Sequence, residues 1–336
     1  MKIGKFDLNE DVMVVAEIGN NHEGNFDTAK RLTEMAAKCG VDAVKFQTFK
    51  TELFVSHSDT ARFDRLKSFE LSYSQFERLS ELAHSLGLLF ISTPFDLKSG
   101  EFLRSIVDCY KIASGDNNFF PLINQVVQTE KPVMLSTGLC DWQQVEQTIS
   151  FIRGKMAGSE ISNKLAVLHC VSCYPVKPEE ANLRSIPYLK GRLNVNVGYS
   201  DHTEGIDAVI LAVALGADIV EKHFTLDKNY SSFRDHQLSA DPVEMSDLVK
   251  RIRQTSLMLG KYGKIVQPCE GQVATNSRRS IVAERDLPAG HCIGFSDLMW
   301  TRPAGGLTPG EEGRLVGKKL RRPLSFGEPI HLSDVN

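Results

Sequence analysis

Two runs of the chain, Leu193-Asn-Val-Asn-Val-Gly-Tyr-Ser200 and Asp218-Ile-Val-Glu-Lys-His-Phe224, decide its fold. Both are short and β-branched, both end in polar side chains, and Gly216 closes a helical pattern just ahead of the second. Strand, helix, strand is the repeating unit of a parallel sheet. Six more runs extend it toward the N-terminus. They are Val12-Met-Val-Val-Ala-Glu-Ile-Gly19, Asp42-Ala-Val-Lys-Phe-Gln47, Leu88-Leu-Phe-Ile-Ser-Thr93, Cys109-Tyr-Lys-Ile-Ala-Ser114, Pro132-Val-Met-Leu-Ser-Thr137 and Leu165-Ala-Val-Leu-His-Cys170. Several are apolar on both faces, as strands covered by helices are.

Helical patterns lie between the runs. Phe76, Leu79, Leu82, Ala83 and Leu86 line one face at spacings of three and four. Ser74-Gln-Phe-Glu77 reads as a capping box at the start of that helix, and Asp141-Trp-Gln-Gln144 as another. Asp241-Pro-Val-Glu244 offers an N-cap, a first-turn proline and an N3 acid before the last long helix. Gly40 and Gly87, like Gly216, end helices before strands. Eight strands alternating with helices over about 250 residues is the arithmetic of a (β/α)8 TIM barrel. A doubly wound open sheet is the alternative, but it usually has about five to seven strands, and no Gly-x-Gly-x-x-Gly follows the first strand here. The texture changes after residue 265. Gln267-Pro-Cys-Glu-Gly271 looks like a linker, placed at 266–277, and short runs broken by Pro and Gly over 278–336 predict a small, mostly β domain. So small a domain buries little core alone and needs a docking surface, its own barrel or a second subunit.

The chain has 336 residues, 42% hydrophobic and 24% charged, which excludes a disordered polymer. A net charge of -3 gives no general electrostatic grip on nucleic acid. No apolar stretch nears the ~20 residues of a membrane span, and the N-terminal segment lacks a secretory h-region. Seven cysteines in a chain of this size read as reduced thiols in the cytoplasm. Cys170 and Cys173 form a C-x-x-C with no second pair at metal-ligand spacing, so they read as small side chains near a strand end rather than a zinc or redox pair.

A parallel barrel builds its active site at the carboxyl ends of the strands. Those ends collect Glu17, Asn20, Asn21 and His22; Lys45 and Gln47; Ser92 and Thr93; Lys111 and Ser114; Ser136 and Thr137; His169, Ser172 and Tyr174; Ser200, Asp201 and His202; Glu221, Lys222 and His223. Two lysines with several hydroxyls make a donor set for phosphate or carboxylate. A lysine that ends an apolar run is paired or functional, and Glu17 and Glu221 are the available partners. His202 and His223, on neighbouring strands, suit a divalent metal with open positions, the arrangement of a catalytic site. The glycines of Leu135-Ser-Thr-Gly138 and Gly198-Tyr-Ser-Asp-His-Thr203 make tight turns or let backbone N–H groups approach an anion.

These residues resemble a known family. Ala16-Glu-Ile-Gly-Asn-Asn-His-Glu-Gly-Asn25, Lys45-Phe-Gln-Thr48, Phe90-Ile-Ser-Thr-Pro-Phe-Asp96, Lys111-Ile-Ala-Ser-Gly-Asp116, Leu135-Ser-Thr-Gly138, His169-Cys-Val-Ser-Cys-Tyr-Pro175, Gly198-Tyr-Ser-Asp-His-Thr203 and Glu221-Lys-His-Phe224 are similar, in that order, to motifs of the sialic acid synthases. The small second domain looks like their antifreeze-like (SAF) domain. That family condenses phosphoenolpyruvate with an N-acylated aldose to form a nonulosonic acid. The resemblance implies that Lys111, Ser114, Ser136 and Ser200 hold phosphoenolpyruvate, with Thr93 and Lys45 nearby. It implies that His202 and His223 bind Mn2+ or Mg2+, and that Gln47, Tyr174 and Asp235 orient the sugar together with Glu17. It implies that Arg302 of the SAF domain reaches the acyl-amino group across a domain-swapped homodimer. Lys45, Glu17 and Glu221 are the catalytic candidates, with the proton assigned to Glu17 or Glu221.

Three departures fall near the sugar and phosphate: Ser172 where the family often has Asn, Asp116 where it has Glu, and Ser231-Ser-Phe-Arg-Asp-His236 where it has a Gly-Pro-Asp approach. They leave N-acetylmannosamine and a diacetamido-dideoxy hexose as alternative acceptors. Two other readings compete. One is an octulosonate-phosphate-synthase-like condensation on a phosphorylated aldose, with Arg234 and His236 supplying a second basic pocket. The other is a non-catalytic sugar-binding protein on the same scaffold.

Overall fold

The computed structural model describes residues 1–156 and 161–336. It divides into two compact units, Met1–Gly260 and Lys261–Asn336. The first begins with a two-stranded antiparallel hairpin, β1 (Lys2–Ile3) and β2 (Phe6–Asp7). Eight parallel strands follow: β3 (Met13–Gly19), β4 (Ala43–Thr48), β5 (Leu89–Pro94), β6 (Cys109–Ile112), β7 (Val133–Ser136), β8 (Leu165–Cys170), β9 (Asn196–Asp201) and β10 (Ile219–His223). They close in chain order, β10 pairing back onto β3, so no edge is left. The expected TIM barrel is therefore present, each strand on its expected run, and the open sheet is excluded.

The double-faced apolar strands have two environments. Met13, Val15, Ala43, Leu89, Ile91, Met134, Ala166, Leu168 and Ile219 fill the barrel interior, and Ile3, Leu8 and Met1 of the hairpin segment cap that cluster. The alternate residues, such as Val14, Val44, Phe90 and Val220, pack outward against the helices. Phe76, Leu79 and Ala83 of the helix Tyr73–Ser85 are fully buried there. Removing a buried leucine side chain of this kind costs about 2–5 kcal/mol. That helix starts one position before the expected capping residue. Its N-cap is Ser72, and the reciprocal box is Ser72 with Gln75, not Ser74 with Glu77. The boxes at Asp141/Gln144 and Asp241/Glu244 form as expected.

The second unit, Lys261–Asn336, includes the stretch expected as linker as well as residues 278–336. That linker stretch holds a turn at Pro268–Glu270 and a short exposed helix, Gly271–Ser277. Beyond it β11 (Ser280–Ala283) pairs antiparallel with β12 (Leu298–Thr301), and isolated bridges such as Leu287 to Leu324 and Leu320 to Val335 complete a β-rich fold. Ten buried side chains, among them Ile281, Leu298, Leu315 and Ile330, give this unit a core of its own. All seven cysteines are unpaired thiols, with Cys170 buried and Cys173 exposed. No helix among the described residues is long and apolar enough to cross a membrane.

Candidate active site

Strand alternation turns one polar residue after another toward the carboxyl mouth of the barrel, where a cavity of about 940 Å3 opens. Its wall contains thirteen of the fourteen expected site residues: Glu17, Lys45, Gln47, Thr93, Lys111, Ser114, Ser136, Tyr174, Ser200, His202, Glu221, His223 and Asp235. The register explains why. Lys45 is the cross-strand partner of Glu17, Gln47 of Thr93, Glu221 of Ser200, and His223 of Glu17. Arg302 belongs to the second unit, exposed just after β12.

At the floor, charges alternate. Lys45 Nζ lies 2.8 Å from Glu17 Oε2 and 3.7 Å from Glu221 Oε1, and Lys111 Nζ lies 4.0 Å from Glu221 Oε2, with all four side chains buried. Gln47 Nε2 donates to Glu17 Oε1 at 3.0 Å, and Ser200 Oγ donates to Glu221 Oε1 at 2.9 Å. The two carboxyl groups diverge. Burial and the nearby Glu221 charge push Glu17 up, and Lys45 only partly offsets them. Burial acts on Glu221 too, but Lys111, Lys45 and the Ser200 hydroxyl outweigh it and hold Glu221 down. Lys45 is raised, because the two carboxylates overcome its burial, whereas burial leaves Lys111 lowered.

Beside Lys111 the wall is rich in hydroxyls. Its ammonium donates to Ser136 Oγ at 2.6 Å and to the Ile112 carbonyl at 3.2 Å, and Gly138 N–H donates to Ser114 Oγ at 3.0 Å. A side chain at Gly138 would meet Ser172 Oγ at 2.3 Å and Ser114 Oγ at 2.7 Å, so glycine is needed for this approach. Gly198 has a different reason from the turn or anion contact expected of it. It lies inside β9, where a Cβ would meet the Ile219 carbonyl at 2.5 Å.

The two histidines face each other with ring centroids 5.3 Å apart. His202 Nδ1 is committed to the Val171 carbonyl at 2.8 Å, which leaves its Nε2 as the free lone pair. His223 Nδ1 is buried without a hydrogen-bond partner, and burial keeps that ring neutral by lowering its pKa well below the usual value. Burial opposes it, but Cys170, the Val171 carbonyl and Glu221 raise the His202 pKa. Once that ring has lost its proton, its Nε2 and the neutral His223 ring fit a divalent cation whose other positions stay open. Among the described residues no group of three or more His, Cys, Asp or Glu side chains is placed to hold a metal, so these two would be its protein ligands. The Tyr174 ring lies tilted against the His202 ring, centroids 4.1 Å apart, and Arg234 lies 4.7 Å over Tyr174 while facing Asp235 at 3.4 Å.

Several strand-end residues go elsewhere. Asn21 holds the Phe224 carbonyl and Ser239, Ser92 pairs with Thr48, and His169 binds the Ala181 carbonyl at the wall of a smaller cavity of about 430 Å3. His236 is buried and bound to Thr225 and Glu23, so it does not supply the basic pocket assigned to it with Arg234. The wall contains further residues. Cys170 Sγ lies 3.8 Å from His202 Nδ1, and Asp116 is pushed up to about 6 by burial. Arg62 and Arg65 reach in from the helix Thr60–Phe69, which stands in the connection after β4. Arg62 lies 5.7 Å from the Phe54 ring, and neither guanidinium has an ion-pair partner among the described residues. No sequence period marks them, since they lie on a helix within a connection between strands.

The description "NeuB family" fits residues 32–264, and "SAF domain" fits 278–336. The chain is 39% identical over 331 residues to the N,N'-diacetyllegionaminic acid synthase of Legionella pneumophila, covering 94% of this chain and 92% of that one. It is 32% identical over 324 residues to the human N-acetylneuraminate-9-phosphate synthase, covering 91% and 88%. The crystal structure of the N-acetylneuraminic acid synthetase from Leptospira borgpetersenii, solved with citrate, superposes with a TM-score of 0.76 at 32% identity over 81% of this chain and 94% of that one. With the barrel, the paired lysines and carboxylates and the facing histidines in place, these likenesses give one conclusion: the chain belongs to the NeuB family of sialic-acid-type synthases.

Proposed function

We propose that the protein is a transferase that condenses phosphoenolpyruvate with an N-acylated aldose, N-acetylmannosamine or a diacetamido-dideoxy hexose, releasing phosphate by C–O cleavage. The observation that carries this reading is the buried Glu17–Lys45–Glu221–Lys111 array beside a hydroxyl-lined recess, a place for a small polyanion next to an acid and a base. Lys111, Ser136, Ser114 and Ser200 would bind the phosphate and carboxylate, with Thr93 and Lys45 completing the donors. Gln47, Tyr174 and Asp235 would orient the acceptor, and a guanidinium, Arg302 of a partner copy, would close on its acyl-amino group. A Mn2+ or Mg2+ ion on His202 and His223 would supply Lewis acidity toward the aldehyde oxygen.

Glu17 would be the proton-handling residue, because burial and the Glu221 charge push its pKa up while Lys111, Lys45 and Ser200 hold Glu221 down. As C3 of phosphoenolpyruvate bonds to the aldehyde carbon, Glu17 gives its proton to the aldehyde oxygen. The resulting carboxylate takes a proton from the water that adds at C2. Collapse of that adduct breaks the C2–O bond, and phosphate leaves with its bridging oxygen, leaving the keto acid. Glu221 holds Lys45 and Lys111 in place throughout. Activity of this kind belongs in the cytoplasm, where the free thiols stay reduced.

Arg62 and Arg65, without an ion-pair partner among the described residues, favour a second reading, an acceptor that carries its own phosphate. Incubation with phosphoenolpyruvate, Mn2+ and a panel of acylated and phosphorylated aldoses separates the two. The first reading expects phosphate release and a nonulosonic acid mass with unphosphorylated acylated hexosamines. Release with phosphorylated aldoses alone supports the second, and binding without any release supports a non-catalytic sugar-binding protein.

A further inference from the structure

One fully buried charged pair of the barrel lies outside the cavity. Lys222 and Asp201 are cross-strand partners on β10 and β9, 1% and 0% exposed. Lys222 Nζ lies 2.7 Å from Asp201 Oδ2. Asp201 Oδ1 accepts from Tyr199 Oη at 2.9 Å and from the Thr203 backbone N–H at 2.9 Å. Lys222 Nζ also donates to the Thr203 carbonyl. The pair therefore holds both backbone groups of Thr203, the residue directly after His202. Val176 N–H fixes the His202 carbonyl itself at 2.9 Å. Lys222 stands between Glu221 and His223, so one ion pair ties the backbone on both sides of the histidine gap.

Burying two charges is a poor route to stability, since an apolar pair of similar volume is often as stable or more so. What the apolar pair lacks is direction. We propose that Lys222 and Asp201 are positioning residues that set His202 against His223, and so determine how tightly the two rings hold a divalent cation. This rests on the cation site proposed above. Neither residue touches substrate. Their effect passes through the backbone of Thr203 and the strand pairing of Lys222 with Asp201.

The test compares the wild-type protein with D201N/K222M. Lys222→Met alone would strand a buried carboxylate, whereas the double substitution leaves no uncompensated charge. Three quantities are read: Mn2+ affinity by electron paramagnetic resonance, phosphoenolpyruvate affinity by calorimetry, and the ring-nitrogen NMR signals of His202 and His223 in the metal-free protein. The expected result is a retained cooperative thermal transition, Mn2+ binding weakened about 10–100-fold, little change in phosphoenolpyruvate affinity, and shifted His202 ring signals. Mn2+ affinity within about twofold of wild type, with unshifted ring signals, overturns the proposal, being far short of what an orienting contact supplies. Loss of the cooperative transition overturns it too, because the pair would then be structural. If the wild-type protein binds no Mn2+, the proposed cation fails on its own account, and the ring signals alone decide whether the pair orients the histidines.

Discussion

Lys45 Nζ stands 2.8 Å from Glu17 Oε2, both side chains buried and opposite each other on β4 and β3. This ammonium does not bring Glu17 down to an ordinary carboxylate, because burial and the neighbouring Glu221 charge outweigh it. A raised pKa means the protonated acid persists to higher pH and is lost as pH rises through the raised value. If Glu17 delivers the proton, kcat falls on that alkaline side, with an apparent pKa that belongs to the Glu17/Glu221 pair. Glu17→Gln then lowers kcat by roughly 10²–10⁴-fold and removes that alkaline limb. A pH–rate profile of the variant checks this; an unchanged limb would assign the proton elsewhere.

His22 makes a prediction about stability. Gly24 N–H donates to its Nδ1 at 3.0 Å, while its Nε2 is buried without a partner. Burial lowers its pKa from 6.5 to about 4. A depressed value in the folded state stabilises the fold above the unfolded pKa, and that contribution is lost as pH falls from 6.5 toward 4. The loss approaches about 3 kcal/mol. His22→Leu should show a smaller drop in thermal midpoint over this interval than the wild-type protein. Parallel curves for the two would contradict the assignment.

The guanidiniums of Arg62 and Arg65, which form no ion pair among the described residues, predict electrostatic steering of an anionic substrate at the cavity wall. kcat/KM for phosphoenolpyruvate should fall as ionic strength rises, and R62Q/R65Q should flatten that dependence, with a loss of roughly tenfold at low salt. Stopped-flow binding at several salt concentrations measures it. An identical salt slope in the variant would leave the two arginines without this role.

Arg302 predicts complementation. Mixing an Arg302→Ala subunit with a Lys111→Ala subunit should restore part of the activity under subunit exchange if the arginine acts across a dimer. Recovery up to roughly a quarter of wild type is the ceiling for random pairing in a symmetric dimer. No recovery, with exchange verified by mass, would place Arg302 in its own chain's site.

The barrel and its polar rim were legible because strand alternation is a local rule. Once Lys45, Lys111, Glu221 and His223 sit on inward positions of buried strands, their convergence follows from closure. The pairing of Lys45 with both Glu17 and Glu221 was legible only as an option, since the choice among buried carboxylates depends on register. Arg62 and Arg65 were out of reach because they lie on a helix inside a connection, where no strand period points at the site. His236 misled for the opposite reason. Its neighbours in sequence line the cavity, but the helix Arg234–Leu238 turns its ring inward to Thr225 and Glu23. Ser74 misled by a shift within a serine-rich stretch, where Ser72 takes the cap instead.

The central claim is a condensation in which phosphate departs with its bridging oxygen. The direct measurement uses phosphoenolpyruvate labelled with ¹⁸O at that oxygen, Mn2+ and an acylated hexosamine, with mass spectrometry of both products. The account predicts that all the label appears in inorganic phosphate, released in equal amount to a nine-carbon keto acid, and that chelation stops both. Label retained in the keto acid, phosphate released without an acceptor, or full turnover in excess chelator would contradict it.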